Sequence, residues 1–266
     1  MRVSFRDEQR LAFGSVAELY DRARPSYPPG AIDDVVAHAG LQGGDTVLEV
    51  GAGTGKATVL LAARGLDVVA LEPSASMAAV ARANCRDLTG VRVVESDLES
   101  WESTERFAAV ASVQAWHWVA PLVRYERAHA ALAPGGTLAA LWTFPDWTAC
   151  DLCDVLRDAY RLGAPRLAPD FPMHPASEPT RLAGDWSAEI DASTTFAQPL
   201  VTTHSWSQPY TSTAYVELLQ THQDHILLEP DQQPLLLTAI AAAIESEGGG
   251  TLTLPFVTRV CLATRR

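Results

Sequence analysis

Seven consecutive residues, Glu49-Val50-Gly51-Ala52-Gly53-Thr54-Gly55, hold the densest chemistry in the chain. Glycines at alternating positions let a backbone turn sharply and approach a ligand where a Cβ would clash. A helix beginning after such a turn aims its unpaired N–H groups at the same place. Two departures narrow the ligand. A dinucleotide fingerprint would place a third glycine at position 56, where the chain has Lys56. A phosphate loop would follow its lysine with Ser or Thr, but Lys56 precedes Ala57. Glu49, just ahead of the loop, would repel pyrophosphate and suits a ligand carrying positive charge.

Two more acids follow in sequence order, each closing an apolar stretch: Glu72, with Pro73 after it, and Asp97, between Ser96 and Leu98. A carboxylate at the first position can accept both hydroxyls of a ribose. One at the second can accept a hydrogen bond from an adenine amino group. His117 lies in Gln114-Ala115-Trp116-His117-Trp118, where a fourth apolar stretch ends. With an ordinary pKa near neutrality it can take a proton from a hydroxyl or amine nucleophile. The plainer reading is a ring that packs between Trp116 and Trp118 and orients substrate. Gln114 can hold an amino group through its side-chain or backbone oxygen.

Short apolar strands are expected at residues 46–50, 66–71, 91–95, 107–113 and 137–142. Helices are expected at 31–39, stopped by Gly40, from the glycine loop to about 64, at 74–87 with Ser74 as N-cap, and at 123–132, stopped by Pro134-Gly135-Gly136. Alternation of continuously apolar strands with helix-length segments marks a parallel sheet covered on both faces. Ligands of such sheets bind beyond the carboxyl ends of the strands, where the glycines, the acids and His117 fall. Beyond residue 144 the alternation lapses. A helix is expected at 151–162, a strand at 200–206, helices at 212–228 and 234–245, and β-structure at 252–263. The chain thus divides into an N-terminal arm (1–30), a ligand-binding core (31–144), a cap insertion (145–198) and a C-terminal completion of the core (199–266). The arm, the insertion and residues 207–230 are expected to cover the substrate.

Residues 45–142 resemble the class I S-adenosylmethionine-dependent methyltransferases. The matching pieces are Val47 through Gly55, Ala70-Leu71-Glu72-Pro73-Ser74, Val94-Glu95-Ser96-Asp97-Leu98 and Leu132-Ala133-Pro134-Gly135-Gly136-Thr137-Leu138. The resemblance implies an α/β Rossmann-like sheet of seven strands, mostly parallel, whose last strand runs antiparallel. It also implies S-adenosylmethionine as cofactor and S-adenosylhomocysteine as product. Contacts would come from Gly51, Ala52, Gly53, Gly55, Glu72, Pro73, Ser96, Asp97 and Ala115, with Met77 and Leu98 flanking the adenine. Glu49 would serve the methionine end. A narrower resemblance, to trans-aconitate-methyltransferase-like and natural-product methyltransferases, is carried by residues 13–25 and by Gln114 to Trp118. There Tyr20 and Arg24 would close over the cofactor, with Arg24 pairing its carboxylate.

A formal net charge of -12 repels polyanions, and no basic footprint for nucleic acid is visible; a small-molecule substrate is expected. Cys150 and Cys153 form a lone CxxC without the second ligand pair of a zinc site. His222 and His225 are read as a solvated helix face, so no metal is expected. Of the tryptophans at 116, 118, 142, 147, 186 and 206, two or three are expected at the ligand and the rest in the core. The first residues lack the apolar stretch of a signal peptide and no run reaches bilayer-spanning length, so a cytoplasmic protein with no membrane partner is expected. Three other uses of such a site stay open: a biosynthetic enzyme exploiting the sulfonium charge for cyclisation or decarboxylation, a non-catalytic cofactor-binding subunit, and a nicotinamide dehydrogenase, which Lys56 and Glu49 disfavour.

Overall fold

The computed structural model describes residues 17–168 and 186–266, so the start of the N-terminal arm and the middle of the insertion lie outside the described residues. The elements are α1 (Ala17–Ala23), α2 (Pro29–Ala39), β1 (Thr46–Val50), α3 (Lys56–Ala62), β2 (Asp67–Leu71), α4 (Ala75–Asn84) and β3 (Val91–Val94). They continue with β4 (Phe107–Val113), α5 (Arg124–Ala131), β5 (Leu132–Pro145), α6 (Cys153–Gly163), α7 (Ser187–Ala192) and β6 (Leu200–Thr211). The last are α8 (Ser212–Leu219), α9 (Gln223–Ile226), α10 (Gln232–Glu247) and β7 (Thr251–Thr264). Single 3-10 turns cover Trp116–Trp118 and Trp147–Ala149.

The seven strands form one sheet in the order β3-β2-β1-β4-β5-β7-β6. Strands β1 to β5 pair in parallel. The backbone bonds Arg265 N–H to Gly136 O and Asp146 N–H to Pro255 O advance in opposite directions along β5 and β7, which makes β7 antiparallel to β5. The expected seven-stranded, mostly parallel sheet is therefore present.

Two compact units divide the chain. Among the described residues, one comprises 26–143, 186–204 and 258–266; the other comprises 17–25, 144–168 and 205–257. In the first of these, called the sheet unit, alternation along each strand sends side chains to opposite faces. Leu48, Val50, Val69, Leu71, Val110 and Leu138 build one core with Trp116 and Phe196. Val47, Val68, Ala70, Ala109, Ala111 and Leu141 build another with Ile32, Val35 and Leu61 from α2 and α3. The second, the helical unit, has its own core of Leu156, Tyr160, Tyr215, Leu218, Leu236 and Ile240. There α6 and α10 touch so closely that a Cβ on Gly163 would overlap the Leu236 backbone.

Two sequence expectations change at this level. Strand β5 starts at Leu132, directly after α5, and takes Pro134-Gly135-Gly136 into itself as an excursion. Its register against β4 jumps from Phe107↔Leu132 to Ala109↔Thr137, with Gly135 at φ 74. The expected helix over 212–228 is two helices, α8 and α9. Nothing in Gln220-Thr221-His222 breaks a helix by propensity; the break coincides with Thr221, whose hydroxyl donates to Leu218 O and accepts from Arg24. The β-rich C-terminus is a single long strand.

Candidate active site

The glycine loop is built by the end of β1 and the start of α3, and it is held almost wholly by its own surroundings. Gly51 N–H and Ala52 N–H both donate to Leu71 O at 2.9 Å, and Gly55 N–H donates to Ala52 O. Gly51, Gly53 and Gly55 all take positive φ (73, 59 and 86), a region that a Cβ penalises. At Gly51 a side chain is excluded twice, because a Cβ would also overlap the Ala115 methyl. At Gly53, a Cβ would meet no described atom within 4 Å: the backbone there borders open space. Thr54 is buried, its carbonyl accepts from Asn84 Nδ2 at 2.9 Å, and its hydroxyl has no hydrogen-bond partner among the described residues. A buried hydroxyl in that state calls for a ligand or a water.

Glu72 stands at the end of β2, 7% exposed. Its two oxygens each accept a backbone N–H at 2.8 Å, one from Gly53 and one from Ser74. The carboxylate therefore joins the loop to the N-terminus of α4, with Ser74 capping through its own backbone rather than its hydroxyl. Met77, in the first turn of α4, and Leu98, just past β3, are both buried, while Pro73 is exposed. Asp97 Oδ1 accepts from Ser100 N–H at 2.8 Å and Ser100 Oγ at 2.5 Å, closing the turn after β3; Ser96 Oγ donates to Asp97 O.

Glu49 takes a different position from the one its place before the loop suggests. On a strand it shares a face with Val47, so it points beneath α3, where Thr58 Oγ1 donates to its Oε2 at 2.5 Å. The residue is 1% exposed. Burial raises its carboxyl pKa to about 8, against the Thr58 hydrogen bond and with the help of the Glu72 charge. Its proton stays on near neutrality, and the group ties β1 to α3.

At the end of β4, Gln114 has φ 61, and its side-chain amide is paired with the backbone of Thr143. The amide is thus spoken for, and its backbone carbonyl is the remaining candidate acceptor. His117 packs on Trp118, with ring centres 4.5 Å apart, and meets Trp142 edge-on at the same distance. Trp118 and Trp142 are half-buried, whereas Trp116, Trp147 and Trp186 are core and Trp206 stacks on Phe256.

Tyr20 and Arg24 belong to the helical unit. The guanidinium lies 5.1 Å from the Tyr20 ring centre and donates to Thr221 Oγ1 at 2.8 Å and Thr221 O at 3.1 Å. Nearby, the solvated-face reading of His222 and His225 fails for His225, which is 2% exposed. Asp224 supplies the carboxylate that sequence reasoning overlooked: its Oδ1 lies 2.8 Å from His225 Nδ1. On the other side of the ring, Nε2 lies 2.6 Å from the Tyr160 hydroxyl. His222, Asp224 and His225 bring their ligating atoms within 4.8 Å of one another. Both ring nitrogens of His225 are already engaged in the chain that ties α9 to α6, so metal ligation would break one of these bonds. Cys150 and Cys153 are free thiols; burial pushes Cys150 up to about 11. No described helix is long and apolar enough to cross a membrane.

The sequence signals therefore converge in part. Gly51, Ala52, Gly53, Gly55, Glu72, Ser96, Asp97, Leu98, Gln114, Ala115 and His117 all fall within the sheet unit at or just past strand ends, and Met77 in the first turn of α4. Thr54, Thr58 and Thr143 were missed. The 3.6-residue spacing that puts Thr58 on the sheet-facing side of α3 is the one signal that pointed to any of them.

Residues 47–136 match the sequence family described as a methyltransferase domain. An uncharacterized methyltransferase of Mycobacterium tuberculosis is 39% identical over 141 residues, which is 53% of this chain and 56% of that protein. An uncharacterized methyltransferase of Schizosaccharomyces pombe is 28% identical over 133 residues, 48% of this chain and 50% of the other. The match thus spans about half the length of these relatives. Among solved structures, a phosphoethanolamine N-methyltransferase of Haemonchus contortus, in complex with phosphomonomethylethanolamine and S-adenosylhomocysteine, superposes with a TM-score of 0.55. It is 16% identical, covering 99% of this chain and 60% of that one. A S-adenosylmethionine-dependent methyltransferase of Thiobacillus denitrificans, holding S-adenosylhomocysteine, gives 0.52 at 14% identity over the whole of both chains. The two likenesses concern the fold.

Proposed function

We propose that this chain, whose core is a class I S-adenosylmethionine-dependent methyltransferase domain, moves a methyl group to an O, N or C nucleophile of a small molecule by direct displacement. When bound, the cofactor supplies an electrophilic methyl carbon on a positively charged sulfur, and S-adenosylhomocysteine is the product. The nucleophile's lone pair forms the new bond while the carbon–sulfur pair passes to sulfur and the nucleophile's proton leaves. Most of the rate in such a step comes from holding the two reactants in line and away from water.

The observation that carries this reading is the junction of Gly53 and Glu72. A loop N–H is locked to the β2 carboxylate, and the backbone beside it borders empty space. In support, Glu72 stands at the end of β2 bonded to the loop, where a carboxylate would take the ribose hydroxyls, and the buried Thr54 hydroxyl, without a described partner, would meet a polar group of the cofactor. In this reading Gly51, Ala52, Gly53 and Gly55 receive the methionine end, and Asp97 with Ser96 takes the adenine amino group between Met77 and Leu98. Glu49 acts from below, fixing α3. His117, wedged against two indoles, orients the acceptor and takes its proton where the acceptor needs a base. Arg24, which donates to the oxygens of Thr221 and lies over the Tyr20 ring, suits a carboxylate. The acidic net charge favours small acceptors over nucleic acid.

Titration calorimetry with S-adenosylhomocysteine and with NAD tests the cofactor; binding of NAD alone overturns the assignment. A methyl-label transfer assay across hydroxyl, amine and carboxylate metabolites tests the reaction. Cofactor binding without transfer to any of them would argue for a binding subunit or a sulfonium-assisted catalyst.

A further inference from the structure

Resting on the cofactor reading above, we infer that Gln114 is a positioning residue whose side-chain amide stands in for a peptide unit of β4, letting the main chain leave the sheet and press Ala115 against Gly51.

Backbone pairing of β4 with β5 runs through Val113↔Leu141, and Gln114 N–H makes the next bond, to Leu141 O at 2.9 Å. There the main chain turns away, through a left-handed residue that is not glycine. Such a conformation is disfavoured for a side chain of this kind and persists where the surroundings hold it. The hold is visible. Gln114 Nε2 donates to Thr143 O at 2.7 Å, and Thr143 N–H donates to Gln114 Oε1 at 2.9 Å. One donor and one acceptor in a planar amide meet one acceptor and one donor in the strand, so the side chain supplies the rung that the departing backbone no longer provides. Thr143 is itself fixed, its hydroxyl 2.8 Å from that of Thr258 on β7, with both residues buried. Beyond the clamp, Ala115 comes so near Gly51 that no other residue fits there. Trp118 N–H closes the 3-10 turn onto Ala115 O at 2.9 Å, and that turn carries His117. The wall facing the glycine loop is thus placed by an amide on the neighbouring strand.

The test uses the full chain and S-adenosylhomocysteine as probe. Q114A loses both bonds and should bind about tenfold more weakly, with its circular dichroism spectrum retained. Q114E separates clamping from packing. An ionised glutamate accepts from Thr143 N–H but cannot donate to Thr143 O, whereas the protonated form does both. Its affinity relative to wild type should therefore recover as pH falls, and a side chain that merely fills space would show a flat ratio. Amide exchange over residues 114–118 in ligand-free Q114A should also quicken. Binding by Q114A within twofold of wild type, or a flat Q114E ratio, overturns the clamp. If wild type itself fails to bind the probe, the cofactor reading is what falls, and unchanged exchange in Q114A would overturn the clamp on its own. Should Q114A not fold, the Q114E series decides.

Discussion

The two units use buried polarity for opposite ends. In the sheet unit, Glu49, Glu72 and Gln114 are buried or half-buried around one short loop, and each fixes a backbone segment that borders it. In the helical unit, Asp224, His225, Tyr160, Arg24 and Thr221 tie helix to helix. The ionisation states differ in the same sense. Burial holds Glu49 protonated, up at about 8. Burial would also raise Asp224, but the hydrogen bond and charge of His225 prevail and hold it down at about 2. Polar groups that shape a ligand loop can be judged by binding, whereas those that brace helices are judged by melting.

The sharpest way to break that contrast is at Gly51. G51V adds a Cβ against Ala115 at a positive φ, and affinity for S-adenosylhomocysteine should fall by about a hundredfold or more. Normal binding by this variant would mean the loop does not hold the ligand. Next in size is T54V, which removes the unpartnered loop hydroxyl and should cost about fivefold in affinity by calorimetry if that hydroxyl meets the cofactor. In the helical unit, Y160F leaves His225 Nε2 without its 2.6 Å partner. A loss of roughly 1–2 kcal/mol in stability should follow, seen as a lower melting temperature with cofactor affinity unchanged.

Titration sharpens the comparison further. The Glu49 pKa is raised on folding, so the folded state holds a proton that the unfolded chain releases above about pH 4.5. That stabilisation fades as pH rises towards about 8. E49Q should therefore gain on wild type in melting temperature from pH 5 to pH 8. The Asp224 pKa is depressed, so its contribution is present above its unfolded value of 3.8 and lost as pH falls towards 2; D224N should flatten that acid limb. The smallest effect is expected at the exposed Arg22–Glu217 pair, where R22A should stay within about 0.5 kcal/mol of wild type in denaturant melts.

Much of the sheet unit was legible because its signals are local. Alternating glycines, an acid closing each apolar run, and Gly40 ending α2 with φ 63 are decided within a few residues. What escaped was decided across the chain. Glu49 turns under α3 because Thr58 waits there, and strand alternation with Val47 already hinted at it. The break between α8 and α9 coincides with Thr221, whose partner Arg24 lies nearly two hundred residues away in sequence. Asp224 was overlooked as a partner for His225: neighbours along a helix ordinarily diverge, yet these two meet in the opening turn of α9, where Asp224 also accepts the His225 N–H. Gln114 carries no sequence mark of a left-handed residue at all.

Gly55 has one further neighbour of practical value. A side chain there would come within 3.4 Å of the Cys85 sulfur, and that thiol is 6% exposed. Burial first, and the charge of Glu49 second, push it up to about 11, so it is a poor nucleophile while the glycine turn stays shut. An alkylating reagent that reaches it must wait for α4 and the turn to part. The labelling rate at this one sulfur would therefore clock that opening without any engineered probe, and a ligand that seals the turn should slow the clock.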